Sequence, residues 1–408
     1  MLWPRRSRPA VLTALTCLLT IAGASPMAAA ATAAGSKQPW ADKVITVGAV
    51  FSTTGIGASY GPQQTKGAQL AVSQINAAGG VKGADLHLVI DNDNSQPAQS
   101  AVVMQSLITT QNVLAVLGPT FSNSAAAADP VADSLSTTVL AVSNTGPGIV
   151  GSCPYPCSWI YRDSIGDTST IPANIGYYVK RAHPQAAAVI YPAADPFGVS
   201  TGQVATQAFT ADGVDQVSPV AVSDPTSLSG PVQSALAVHP KVVAITASST
   251  TVAGALIKEL RDQGFKGQIL GGNAFNNPAV AAAAGSAATG ARSGAAWYLG
   301  NRSGVNRAFV AAYQKRYGTT PDQFAALAYT GVQLLARAAA TAPLKFSSTA
   351  DDRLALKNAL AGVRMNTPLG PFRFTADHDV DQPVWLLAMN GKGGYGLVRE
   401  LPASASRS

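Results

Sequence analysis

The sequence predicts an α/β protein of two doubly wound, Rossmann-like parallel-sheet lobes, and three observations carry that expectation. Short β-favouring runs alternate with helical patterns along the chain, joined by Gly, Pro and Asn connections. The runs are apolar on both faces, as in strands covered by helices above and below. About 370 residues remain once a leader is set aside, enough for two domains of ordinary size.

The leader comes first. Residues 1–34 read as a secretory signal peptide: Arg5, Arg6 and Arg8, then the apolar run 10–24, then small residues with several Ala-x-Ala choices. That run is shorter than the ~20 residues a membrane-spanning helix needs, and no later stretch is apolar and charge-free for that length, so an exported chain is expected. Arg5-Arg6 also allows a twin-arginine leader. Cys17 follows Ala14-Leu15-Thr16, which lacks the large aliphatic residue a lipoprotein signal wants three before its cysteine, so lipid anchoring stays open.

Residues 44–83 read as strand, loop and helix. Val44, Ile45, Val47, Ala49, Val50 and Phe51 form the strand; after a glycine-punctuated loop, Ala68, Leu70, Ala71, Val72 and Ile75 recur at helical spacing until Asn76-Ala-Ala-Gly-Gly stops them. Further strands are expected at 86–91, 113–117, 139–142, 186–191, 214–222, 242–246 and 268–271. Helices are expected at 100–110, 123–134, 170–181, 200–212, 227–238 and 252–263. In such sheets ligands bind at the carboxyl edge of the strands.

With 47% hydrophobic residues and 12% charged ones, a packed core is available. The net charge of +7 belongs partly to the leader, and the remaining Lys and Arg are scattered without interleaved aromatics, which argues against nucleic acid. Beyond the leader only Cys153 and Cys157 remain, in Cys-Pro-Tyr-Pro-Cys. An even pair in an exported chain reads as a disulfide; half of a metal site is the competing reading.

Several motifs resemble the periplasmic branched-chain amino-acid-binding proteins, the type I extracellular solute-binding proteins of ABC transporters. They are Ile45–Gly48, Ser52–Gly55, Tyr60-Gly61 and Ile75-Asn-Ala-Ala-Gly-Gly-Val-Lys-Gly83, then Val116-Leu-Gly-Pro-Thr-Phe-Ser122-Asn-Ser124 and Leu140-Ala-Val-Ser143-Asn-Thr145-Gly-Pro, the last two residues shorter than in the family. Trp159-Ile-Tyr-Arg162, Asp195-Pro-Phe-Gly198, Phe309 through Gly318 and Thr367-Pro-Leu-Gly-Pro-Phe-Arg-Phe374 extend the likeness over nearly all of the mature chain. The resemblance implies two lobes joined by a three-crossover hinge, with crossovers near Ser164, Trp297 and Thr375. Lobe 1 would then be 44–164 plus 298–375, and lobe 2 would be 165–297 plus 376–401.

It also implies a ligand site. Ser122 and Ser124 open an expected helix, where hydroxyls and free N–H groups either cap the helix or hold a carboxylate. The position matching Ser122 holds the ligand's carboxylate in the family. Ser143 and Thr145 follow a buried strand and either form a plain turn or meet a second polar group. Tyr60 either packs in the core or closes over the ligand and donates a hydrogen bond. From lobe 2, Phe197, Ser249 and Asn273 stand where amino-acid-binding members tend to carry Tyr, Tyr and Glu. That glutamate answers an α-ammonium group, and this chain offers an amide in its place.

Other classes fit less well. A hydrolase would need a nucleophile elbow, Gly-x-Ser-x-Gly, served by a histidine, and no such pair is read; His87, His183, His239 and His378 read as solvated or structural. Asp91-Asn-Asp93-Asn and Asp377-His-Asp379-Val-Asp381 could attract Ca²⁺ but lack the glycine and distal glutamate of an EF-hand, so polar turns are expected. No enzyme, no cofactor and no metal are expected. The expected function is an extracytoplasmic solute-binding protein, a monomer that delivers a small polar ligand of the branched-chain amino acid, amide or carboxylate class to an ABC permease by hinge closure. A ligand-sensing module docking on a membrane receptor is the alternative.

Overall fold

The computed structural model describes residues 38–391 and 393–403. The expected signal peptide and Cys17 lie outside the described residues.

The first half builds one sheet. Strands β1 (Val44–Val50), β2 (Asp85–Asp91), β3 (Ala115–Leu117), β4 (Thr138–Ala141) and β5 (Ile160–Arg162) alternate with helices α1 (Gly61–Ala77), α2 (Pro97–Thr109) and α3 (Ser122–Ser134). All pairings are parallel, in the order β2-β1-β3-β4-β5. The chain then runs through α4 (Asp167–Ala182), β6 (Ala186–Pro192), α5 (Pro196–Ala211), β7 (Gln216–Val222), α6 (Ser229–Leu236), β8 (Val242–Ile245), α7 (Thr250–Asp262), β9 (Gln268–Gly271), α8 (Pro278–Ala284) and β10 (Arg292–Ala295). Helices α9 (Gly304–Tyr317), α10 (Gln323–Thr341) and α11 (Thr349–Ala361) follow, then β11 (Arg364–Thr367), β12 (Gly370–Phe374), β13 (Val380–Asp381), β14 (Val384–Met389) and β15 (Tyr395–Leu401).

The second sheet has the order β15-β14-β10-β9-β8-β6-β7. It departs from the all-parallel expectation at one edge, where β14 runs antiparallel to β10 and to β15; a short glycine-rich turn joins β14 to β15, and only antiparallel strands can be joined so closely. A small antiparallel sheet, β11-β12-β13, lies between the helices and that edge. The chain passes between the two large sheets after Arg162 and again after Ala295. Thr375, the third expected crossover, lies in the turn between the paired strands β12 and β13, and the next strand of the second sheet opens at Val384.

Several helices begin three or four residues earlier than expected. Pro97 and Pro196 occupy the first turns of α2 and α5, where a fixed φ and a missing N–H suit the helix start. Helix α10 is buried along most of its length and packs on α1 so closely that a Cβ on Gly67 would stand 2.1 Å from the carbonyl oxygen of Ala325. Only glycine permits that approach. Cys153 and Cys157 are bonded to each other in the loop after β4, with Cα atoms 6.3 Å apart. Among the described residues no helix is long and apolar enough to cross a membrane.

Candidate functional site

Loops at the carboxyl ends of both large sheets meet at one narrow cleft, whose interior leaves about 20 Å³ for a water-sized molecule to occupy. The first sheet contributes Tyr60 ahead of α1, Thr120, Phe121 and Ser122 after β3, and Ser143 and Thr145 after β4. The second contributes Phe197, Ser248, Asn273 and Ala274, and Phe324 comes from the start of α10. Tyr60, Ser122, Ser143, Thr145, Phe197 and Asn273 are thus brought together. Ser249 is not: its hydroxyl accepts the Val252 N–H at 3.3 Å as the N-cap of α7, and Ser248 lines the cleft instead.

Burial dictates how each polar group is used, since an unpaired buried donor or acceptor costs about 1–3 kcal/mol. Gln64, fully buried on α1, accepts from Thr120 Oγ1 at 2.6 Å and donates to Ser143 Oγ at 2.9 Å. Ser143 Oγ donates to the Thr120 carbonyl at 2.5 Å, and Thr120 Oγ1 accepts the Ser52 N–H at 2.9 Å. The Ser143 hydroxyl is therefore committed to the wall and not to a ligand. Beneath it Asp93 accepts from Ser52 Oγ, the Ser95 N–H and Ser124 Oγ at 2.6, 3.0 and 3.0 Å, so Ser124 too is internal.

Ser122 is the first residue of α3, not its cap; the N-cap is Phe121, whose side chain offers no acceptor. Helix α3 therefore opens on N–H groups that its own turns do not satisfy. Ser122 Oγ accepts the Gly146 N–H at 3.1 Å, which ties the β4 loop to the helix start. A Cβ at Gly146 would come within 3.0 Å of Ser122 Oγ and 3.3 Å of the Phe197 ring, so glycine keeps this part of the cleft open. Tyr60 packs edge-on between Phe121 and Phe324, at centroid distances of 5.3 and 4.8 Å, and its hydroxyl donates to the Ser248 carbonyl at 2.9 Å. It is both core and wall, and its donor reaches the opposite lobe. Burial, with Asp195 and Asp322 nearby, raises its pKa and keeps the phenol neutral.

None of the described residues lining the cleft carries a charge. Asp167, behind Thr145, accepts from Thr145 Oγ1 and Thr170 Oγ1, each at 2.8 Å. Burial pushes its pKa up to about 6, opposed by those bonds, by the Asn273 N–H and by Arg162. Asp195 accepts from the Ser248 N–H and Oγ at 2.6 and 2.9 Å. Asp163 is fully buried beside Gly331 on α10, and burial holds its carboxyl well above the usual range. Asn273 donates to the Ser143 carbonyl at 3.3 Å and accepts from Gln323 Nε2 at 2.7 Å, so its amide oxygen, standing where a glutamate was expected, already has a partner.

Sequence reasoning missed Gln64, Thr120, Phe121, Ser248 and Phe324. Gln64 had a signal: it shares a helix face with Ala68 and Ala71, a polar residue on an apolar stripe. Reasoning also passed over Gly57-Ala-Ser59-Tyr-Gly61, which has the spacing of a nucleophile elbow. Its Ser59 hydroxyl meets Thr250 Oγ1 and Asn277 Nδ2, each at 3.3 Å, and no histidine among the described residues bonds it. His378 is stacked on Tyr161 with Nδ1 at the Ile160 carbonyl. The stretches 146–151 and 391–396 have the glycine spacing of a dinucleotide loop, but the first runs into the cysteine loop and the second joins β14 to β15, and neither opens a helix. Among the described residues no three His, Cys, Asp or Glu side chains group as metal ligands, and Asp379 and Asp381 pair with Arg162 and Arg373.

The sequence profile described as periplasmic binding protein matches residues 44–394. The chain is 32% identical over 105 residues to an amino acid binding protein of Pseudomonas aeruginosa, a match spanning 26% of this chain and 28% of that protein's length. It is 26% identical over 363 residues to Leu/Ile/Val-binding protein homolog 3 of Brucella melitensis, covering 88% of this chain and 94% of the relative. Among solved structures, LivJ of Streptococcus pneumoniae in complex with isoleucine is similar in fold, with a TM-score of 0.77, 24% identity and coverage of 88% and 99%. A solute binding protein of R. palustris in complex with benzoate is similar with a TM-score of 0.74, 21% identity and coverage of 89% and 98%. Two sheets that meet at their strand ends around one cleft, and a profile match across both, give the same answer: the chain belongs to the periplasmic binding protein family.

Proposed function

We propose that this chain is an extracytoplasmic solute-binding protein that captures a small ligand between two lobes and presents the closed form to an ABC permease. The lobes are 44–164 plus 298–375 and 165–297 plus 376–401, and the chain acts as a monomer, without enzymatic activity, after export. The Cys153–Cys157 bond is consistent with an oxidising compartment. Relatives named for amino-acid binding and a structural neighbour holding benzoate support the class of ligand, a small molecule with an apolar body.

The observation that carries the finer reading is the uncharged cleft. A closed cleft must pair any ammonium it takes in, because an unpaired buried charge costs several kcal/mol. The nearby carboxylates of Asp167 and Asp195 are already held by hydroxyl and backbone donors, and Asn273 supplies a dipole that is itself paired. A neutral amide or a carboxylic acid fits better than a zwitterion. Its polar head meets Ser122, whose hydroxyl accepts from Gly146 and keeps its proton to give, together with the N–H groups that open α3. Its body lies against Tyr60, Phe121, Phe197 and Phe324. A thermal-shift panel of leucine, isoleucine, valine, benzoates and simple amides tests this. Stabilisation by acids or amides above that by amino acids is expected, and the opposite order would overturn the ligand class while leaving the solute-binding reading intact.

A further inference from the structure

Beside the cleft, hydrogen bonds join one lobe to the other, and several of the groups that make them, Asn123, Asp195 and Asn277, do not line it. Asn123, the second residue of α3, donates from Nδ2 to Asp195 Oδ1 at 3.1 Å, and Asp195 stands just before α5 in the second lobe, its side chain making no bond to that helix's N–H groups. The Asp195 carboxylate also takes the Ser248 N–H and hydroxyl from its own lobe, at 2.6 and 2.9 Å. The carbonyl of the same Ser248 accepts from Tyr60 of the first lobe at 2.9 Å. Ser59, beside Tyr60, meets the second lobe again through Asn277 Nδ2, which donates to its carbonyl at 2.9 Å.

We propose that Asn123 and Asp195 form a clasp that sets the closed population of the protein, acting as positioning residues for ligand capture without touching the ligand. The inference rests on the solute-binding reading. Asp195 and Ser248 make an acceptor unit that needs nothing from the first lobe to hold its shape. On closure two first-lobe donors, the Asn123 amide and the Tyr60 hydroxyl, dock on it together. A hydrogen bond to an ionised acceptor is stronger than one between neutral groups, so the bond to Asp195 is the one that most rewards closure. Because every partner is protein, the clasp adds to the closed state whatever the ligand is, and a ligand's apparent affinity scales with the closed fraction it does not have to create.

The test is a charge swap read by small-angle X-ray scattering. Asn123→Asp places a second carboxylate against Asp195, while an acid in the first turn of α3 suits that helix, so the melting temperature should hold. With no ligand added, the variant is expected to show a larger radius of gyration than wild type. In a benzoate titration its compaction should need at least tenfold more benzoate. Adding Asp195→Asn to Asn123→Asp restores a donor and acceptor pair; the ligand-free radius should return to that of wild type and the benzoate requirement to within about threefold of it. Asn123→Ala should fall between. Equal ligand-free radii for wild type and Asn123→Asp would overturn the clasp, as would a swap that fails to recover while its melting temperature is normal. If benzoate compacts none of the proteins, the ligand class fails, and the ligand-free radii still decide the clasp.

Discussion

On the first-lobe side of the cleft the polar groups hold one another: Gln64 joins Thr120 to Ser143, and Asp93 gathers Ser52, Ser95 and Ser124 beneath them. On the second-lobe side Ser248 stands on Asp195 of its own lobe but gives its carbonyl to Tyr60 of the first, and Asn273 stands on Gln323 of α10. One wall is a closed network within a single sheet's loops, and the other is assembled across the fold. Removing a group of the first network should therefore cost stability, whereas Ser122, which stands outside that network, and the second-lobe groups that face the cleft should weigh on recognition.

Gln64→Leu is the strongest way to break the contrast. It strips a partner from Thr120 Oγ1 and from Ser143 Oγ at fully or nearly fully buried positions, so two groups at about 1–3 kcal/mol each give a loss of about 4 kcal/mol in urea unfolding. A loss under about 1 kcal/mol would mean that the network is not what holds this wall.

The second wall is sharpened by pH. Asp167 has a folded pKa of about 6 against 3.8 for the free carboxyl, so the folded chain takes up this proton first as pH falls. The cost of burying the anion is fully present above pH 6 and is relieved between about 6 and 3.8. That shift of roughly two units corresponds to on the order of 3 kcal/mol. Wild type should therefore gain stability from pH 8 to pH 5 relative to Asp167→Asn. Parallel stability curves for the two proteins would remove Asp167 from this role.

Ser122→Ala comes next. Losing a hydrogen bond to a charged or strongly polar head costs roughly 1.5–3 kcal/mol of affinity, against about 1 kcal/mol of fold stability for the lost Gly146 contact. Calorimetry and a melting curve on the same protein separate the two, and a fall in melting temperature alone would make Ser122 structural. The smallest effect expected is that of Cys153→Ser with Cys157→Ser. So short a loop restrains little chain entropy, and roughly 2 kcal/mol of stability is the most it should lose.

The same contrast explains what could be read in advance. Strand and helix order followed from period alone, and the first-lobe residues Tyr60, Ser122, Ser143 and Thr145 were found because the motifs that resemble the family carry them in the loops that follow recognisable buried strands. In the second lobe, Ser249 was expected and Ser248 lines the cleft, since a loop after β8 has no period to fix which of two serines faces inward. Phe324 lies more than 200 residues from Phe121 and reaches the same Tyr60 ring only through the packing of α10 on α1, which no local pattern encodes. That Ser122 Oγ binds the Gly146 N–H rather than capping its helix depends on loop geometry in the same way.

Leucine and its keto acid, 4-methyl-2-oxopentanoate, share an apolar body and a carboxylate and differ at the α-position, where one carries an ammonium group and the other a ketone. Calorimetric titration of both into the mature protein at neutral pH asks directly whether the uncharged cleft refuses a zwitterion. At least tenfold tighter binding of the keto acid is the expected result. Tighter binding of leucine, surviving in Asn273→Ala, would show that the ammonium finds a countercharge elsewhere and would contradict the ligand class proposed for this cleft.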